Sequence, residues 1–257
     1  MLKIGVGLAL AAFLGAAYYA YQRSQNTPAA PPAAAQRSSG SEAVVAHPLP
    51  PPASARTTPL PPLAESDTAV RESLAELFGR DVAARAFVQE NLVRRIVATV
   101  DNLPRGKVAV DMRPVVPTGG SFRVAGPENR VLLDPRNFER YAPAVAAMRA
   151  LDARRLAATY TSLYPLFQQA YQDLGYPAGY FNDRLVAVID HLLATPEVRE
   201  PIALVQPRVF YEFADPALEA RSAGQKLLIR MGPQNASVVK AKLRELRAEV
   251  TRLAPAR

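Results

Sequence analysis

The chain begins with an unbroken apolar run. Residues 4–22, IGVGLALAAFLGAAYYAYQ, contain no charge, and Lys3 precedes and Arg23 follows them. As a helix these nineteen residues would rise about 28 Å, enough to cross the core of a bilayer. A cleaved signal peptide also starts with a positive residue and an apolar run. Here, however, Tyr18, Tyr19 and Tyr21 stand where a cleavage site needs small residues. Tyrosines at the end of a span suit the membrane interface, so the run reads as a retained anchor. With so few flanking charges the orientation rests on the default signal-anchor arrangement, amino terminus in the cytoplasm and the rest of the chain outside it.

Apolar periodicity is absent from residues 24–65. Pro, Ala, Ser and Thr dominate, and ten of the chain's 24 prolines lie between Pro28 and Pro62. Such a segment cannot offset its ordering entropy by apolar burial, so it reads as a disordered Pro/Ala-rich linker. At about 3.1 Å per residue it could hold a domain roughly 100 Å from the membrane. The PxxP match at Pro59-Leu60-Pro61-Pro62 is what this composition produces by chance.

Helical spacing sets in at Ser66. Val70, Leu74, Leu77 and Phe78 share a face that Gly79 can end, and residues 87–102 carry Leu92, Ile96, Val97 and Val100 before Pro104. Over residues 106–134 the period changes, and the Val-rich pieces GKVAVDM and FRVAGPENRVLLD suggest a short hairpin or extended loop. Asp134-Pro135 has the form of a helix start. A long helix over 152–174 follows, with Asp152 as cap, Gly175 at its end and Pro165 inside. Leu185, Val188, Ile189, Leu192 and Leu193 mark the next helix, which Thr195-Pro196 stops. Residues 202–213 read as a buried extended connection, and Asp215-Pro216 as another helix start. In the last helix Val239, Leu243, Leu246, Val250 and Leu253 alternate spacings of four and three, a seam that could pack inside the domain or against another chain. The predicted fold is mainly α, with an anchor over 1–23, a linker over 24–65 and a compact all-helical domain with at most a small β-hairpin over 66–254.

Composition narrows the chemistry. The chain lacks cysteine, which removes disulfides, thiolate nucleophiles and sulfur-ligated metals. Net charge is +8, and residues 226–257 supply +6 of it, from eight Lys or Arg against Glu245 and Glu249. That excess raises anionic partners. The corner GQKLLIRMGPQNA is the natural place to look for a phosphate site, yet no P-loop or dinucleotide spacing accompanies Gly232. It reads as a turn between two helices, with Lys226 and Arg230 as candidate anion-binding residues at the following helix's amino terminus.

Tyr160, Tyr164, Phe167 and Tyr171 recur at spacings of four, three and four, and GYPAGYF adds Tyr176, Tyr180 and Phe181. Two readings stand together: the stripe is the domain core, or it is a groove for a peptide, glycan or lipid. Glu212, Asp215 and Glu219 could supply an acid and a base for glycoside hydrolysis, although Asp215 is explained as an N-cap and Glu219 as a first-turn acid. His47 and His191 are the only histidines, and no metal-ligand spacing surrounds them. Ser121 in TGGSFRVAG does not form a nucleophile elbow, and Gly119-Gly120 reads as a turn. No catalytic, cofactor or metal residues are assigned.

The stretches ATVDNLPR, LYPLFQQAYQDLGYP, FNDRLVAVIDHLL and VFYEFADPALEARSAGQKLLIRMGPQNA, with the closing basic helix, resemble a bacterial family defined as a domain of unknown function, over roughly residues 66–252. The resemblance implies the same layout of span, Pro-rich spacer and helical domain, and it implies no activity. The expectation is a single-pass inner-membrane protein with a periplasmic domain that binds an envelope protein, anionic lipid or cell-wall polymer, with the carboxyl-terminal helix as a candidate homo-oligomer surface. The alternatives are a carboxylate-dependent envelope hydrolase and a cytoplasm-facing binder of nucleic acid or anionic lipid. Periplasmic placement disfavours nucleic acid.

Overall fold

The computed structural model describes residues 45–49, 59–106, 110–117, 120–127 and 129–252. The expected span at residues 4–22, much of the spacer, Gly119 and Leu253 lie outside them. Among the described residues, no helix is long and apolar enough to cross a membrane.

The first helices meet expectation at one end and depart from it at the other. Helix α1 (Asp67–Phe78) buries Val70, Leu74, Leu77 and Phe78 and stops at Gly79, whose φ of 83° favours glycine. A short α2 (Arg80–Ala86) follows, which periodicity did not reveal. The helix expected from residue 87 begins only at α3 (Leu92–Asn102). Phe87 is instead drawn into an isolated β-bridge with Val115. The start of α3 is set from another element: the Asp67 carboxylate of α1 accepts from Asn91 N at 2.7 Å and Leu92 N at 2.9 Å. A cap supplied in space rather than in sequence leaves no local signature.

Two antiparallel hairpins follow where at most one was expected. Strands β1 (Val124–Ala125) and β2 (Leu132–Leu133) pair Val124 with Leu133 and Ala125 with Leu132. The segment read as an extended connection is itself a hairpin, β3 (Leu204–Val205) against β4 (Glu212–Phe213), with Leu204 opposite Phe213. A bridge from Leu132 to Ala203 joins the two. Leu133, Ile202, Leu204, Phe213 and Ile229 form a small core of their own beneath them. Strands of two residues show too little alternation to be read from sequence.

The remaining helices build the main core. The N-cap position of α4 (Arg136–Glu139) is Pro135 and not Asp134, whose carboxylate sits one residue earlier and accepts from Arg136 N at 2.8 Å, and α5 (Ala142–Arg149) follows. Helix α6 (Ala153–Asp173) is capped by the Asp152 carboxylate, accepts Pro165 in its interior, and packs on α3. Helix α7 (Phe181–Leu193), the four-residue α8 (Pro216–Glu219) and α9 (Ala223–Arg230) lead to α10 (Pro233–Arg252), which lies across α5, α6 and α7. Its seam of Val239, Leu243, Leu246 and Val250 is buried inside the chain, so these residues pack within the domain.

Candidate functional site

The aromatic stripe divides along its length. On α6, Tyr160, Phe167 and Tyr171 are buried, and Phe181 at the start of α7 completes that layer. The Phe167 and Phe181 rings stack at 5.9 Å and the Tyr171 and Tyr176 rings at 4.5 Å. These contacts are core packing. Tyr164, Tyr176 and Tyr180 are only half-buried and form the rim of the same cluster, with the Tyr164 and Tyr180 rings 5.4 Å apart. The core reading thus holds for Tyr160, Phe167 and Tyr171, while Tyr164, Tyr176 and Tyr180 stand at the edge of that core. Burial raises the hydroxyl pKa of Tyr160 well above its ordinary value, and the nearby Tyr164, Tyr180 and Asp183 add to the rise. Tyr171 is pushed up to about 12 by burial first and by Asp101 second.

A short piece of the spacer, residues 45–49, lies on this rim and bends at Ala46 and His47. Asp183, in the first turn of α7, accepts from Ala46 N through Oδ2 at 2.9 Å and from His47 N through Oδ1 at 2.7 Å. The Asn182 Nδ2 group donates to the His47 carbonyl at 2.8 Å, and Leu49 N donates to the Tyr180 hydroxyl at 2.7 Å. Leu49 also packs against the main core, as does Leu60. The linker expectation over 24–65 is thus corrected for these residues: a segment more than a hundred positions upstream is held by the start of α7. Asn182 and Asp183 were missed by sequence reasoning. An acid in a first helical turn already has an electrostatic explanation, and nothing local separates that role from holding another strand.

Beneath the strap the wall keeps polar atoms in reserve. Asn182 is fully buried, and its Oδ1 has no hydrogen-bond partner. The Tyr160 hydroxyl, on a residue 7% exposed, has none either. Buried polar atoms are normally paired with protein or water, which sets these two apart.

The basic corner is arranged differently. Lys226 Nζ donates to the Glu219 carboxylate at 2.6 Å and to the Glu219 carbonyl at 3.1 Å, at the end of α8. Lys240 Nζ reaches the Thr195 carbonyl at 2.5 Å, just past α7, and Lys242 Nζ reaches the Leu151 carbonyl at 2.6 Å, just past α5. Three lysines thus serve as C-terminal caps for three other helices, where unsatisfied carbonyls and the negative dipole end favour a cation. Burial lowers the Lys240 pKa. Arg230 lies over the Phe213 ring at 4.7 Å and donates to the Tyr211 carbonyl at 3.0 Å. The anion-binding role expected of Lys226 and Arg230 is corrected on these contacts, because both side chains point into internal partners. Lys240 and Lys242 of α10 are buried as well. Gly232, at φ 84°, allows the turn, and a Cβ there would meet the Phe138 ring at 2.6 Å. A cleft of about 590 Å³ beside it is lined by Arg149, Thr195, Glu197, Gln234, Ser237 and Lys240.

The hydrolase constellation does not converge. Asp215 accepts from Ala217 N at 2.8 Å as an N-cap, and Glu219 accepts from Phe213 N at 2.9 Å besides its pairing with Lys226. Asp190 holds Arg247 on the surface, and the described residues contain no group of three or more metal-ligating side chains. His191 Nε2 lies 2.8 Å from Ser222 Oγ, which also caps α9 by accepting from Gln225 N at 3.2 Å. Burial and the charges of Arg184 and Arg221 lower the His191 pKa, which suits a neutral imidazole accepting the hydroxyl proton. Buried Asp101 binds Arg105 at 2.6 Å, Arg184 at 2.9 Å and the Tyr176 hydroxyl at 3.1 Å, tying α3 to α7 and to the aromatic rim.

Fold and site together define a helical domain that holds residues 45–49 of its own chain at the junction of α6 and α7. Residues 92–247, more than half of the chain, match the family described as protein of unknown function (DUF3014), and the chain belongs to that family. The match spans α3 through most of α10 and so contains Tyr180, Asn182 and Asp183. No curated protein and no solved structure matches the chain.

Proposed function

We propose that this protein is a single-pass, membrane-tethered binding module of the bacterial envelope, whose helical domain the spacer carries into the periplasm. Residues 4–22 support the tether, since their length and lack of charge suit a span. The proline-rich spacer supports reach. The observation that carries the binding half of the reading is the α6–α7 corner, where side chains of the domain hold the backbone of a segment from far upstream. Binding is favoured over envelope hydrolysis because Asp215 and Glu219 already serve backbone and lysine partners. It is favoured over nucleic-acid recognition because Lys226, Lys240 and Lys242 face carbonyls of the domain instead of a common outer surface.

The test is topology joined to contact. A tag placed after Arg257 is expected to be degraded when protease is added to intact spheroplasts while a cytoplasmic control survives. Photocrosslinkers at exposed positions of the domain are expected to yield a reproducible adduct with an envelope component in intact cells. A tag that stays protected although the denatured protein is cut, or a domain that yields no envelope adduct from any exposed face, overturns the reading.

A further inference from the structure

We propose that the α6–α7 corner is an exchangeable peptide site: residues 45–49 are its resident ligand, and its external ligand is a proline-containing peptide of a partner protein that takes up the same bent form. This rests on the binding reading above and names the class of ligand.

The hydrogen bonds show what the site reads. Along the strap, the amides of Ala46 and His47 both go to the Asp183 carboxylate, the His47 carbonyl takes the Asn182 amide, and the Leu49 amide goes to Tyr180. Between His47 and Leu49 stands Pro48, which has no amide to donate. The order is donor, donor, proline, donor, and every one of these bonds involves strap backbone. Backbone recognition accepts any sequence that can present this order in the bent form of the strap, which turns at Ala46 and His47. Proline in third place restricts the backbone of the residue before it and lowers the entropy lost on docking. A following apolar residue, Leu49 here, packs against the core.

The corner is also more than a seat for this strap. Asn182 Oδ1 and the Tyr160 hydroxyl are buried there without partners while the strap is docked. An incoming peptide that offers an added hydroxyl or amide to either atom gains a bond that residues 45–49 do not make. Attachment in the same chain gives the strap an effective concentration in the millimolar range, so a partner must either bind better or be similarly tethered. The corner thereby rejects casual ligands and remains open to a fitted one.

The experiment uses the full chain purified in detergent and a fluorescent peptide of residues 43–52, AVVAHPLPPP, read by anisotropy. The double variant Ala46→Pro, Leu49→Asp removes an amide that Asp183 receives and the apolar contact, and so empties the site in cis. The peptide is expected to bind this variant about tenfold or more tighter than the unaltered chain, as competition at millimolar effective concentration requires. In the emptied background Asp183→Asn, which preserves shape, is expected to weaken the peptide about tenfold, and Tyr180→Phe, which removes only the hydroxyl, to weaken it several-fold. Circular dichroism confirms that each variant is folded. A folded, emptied variant that does not bind the peptide overturns the proposal, as does binding indifferent to both Asp183→Asn and Tyr180→Phe. A concentration-dependent dimer of the unaltered chain that Ala46→Pro abolishes also overturns it, by making the strap of a second copy the external ligand. Peptide binding in detergent does not depend on topology, and protection in spheroplasts does not depend on this corner. Either reading can therefore fail while the other stands.

Discussion

The aromatic corner of α6 and α7 and the basic corner of α9 and α10 use polar groups in opposite ways. In the basic corner the charges are consumed by the fold: Lys226, Lys240 and Lys242 each end on a carbonyl at the close of another helix. In the aromatic corner the rings are consumed by the fold, while the polar atoms at their edge hold a segment from far upstream or have no partner. A basic stretch is thus structural here, and an aromatic stripe, ordinarily the mark of a core, carries the proposed binding surface on its rim. Charge density alone does not locate a site. What matters is whether each polar group already has a permanent partner.

The contrast can be broken most forcefully from the core side. Phe167→Ala, under the rim, should cost about 3–5 kcal/mol in urea unfolding, the usual range for a large buried aromatic ring, because Phe167 is 1% exposed and stacked on Phe181. A loss below about 1 kcal/mol would mean that the stripe is not core at that position. Next in size, Lys242→Met should cost about 1–3 kcal/mol by leaving the buried Leu151 carbonyl without its donor. If Lys242→Met is neutral, the lysines are not helix caps. Asp183→Ala should act locally: amide exchange at Ala46 and His47 should quicken about tenfold or more, while global unfolding shifts little. A global collapse instead would make the strap part of the main cooperative unit. Arg247→Ala, which breaks a surface pair with Asp190 that is 39% and 47% exposed on its two sides, should fall within about 0.2–1 kcal/mol. The gentlest probe is pH. The folded-state pKa of His191 is lowered below its ordinary 6.5, so on acidification the unfolded chain takes up this proton first. Stability supported by the neutral ring is present above pH 6.5 and is lost as pH falls through the folded pKa. His191→Gln should flatten that part of the profile, and an unchanged slope would remove His191 as its source.

Much of the helical layout was legible because its signals are local. Asp152 before α6, Asp215 before α8, Gly79 after α1 and the four-three spacing of α10 each state their role within a few residues. The late start of α3 was not legible, since its cap comes from Asp67 of α1. The second hairpin was not, because strands of two residues carry no readable period. At the candidate site the sequence named Tyr164 and Tyr180 but passed over Asn182 and Asp183, whose use depends on a segment over a hundred positions away.

By itself, then, the sequence determined where the longer helices lie, where several of them begin and end, that a span-length apolar run and a proline-rich segment precede the domain, and that cysteine chemistry is absent. Those properties follow from periodicity, capping and composition, which act over a handful of residues. Tertiary structure alone decided which polar groups are committed and which are available. Hydrogen-bond satisfaction is settled between elements distant in the chain, and only folding brings Lys240 to the end of α7, or Ala46 to Asp183.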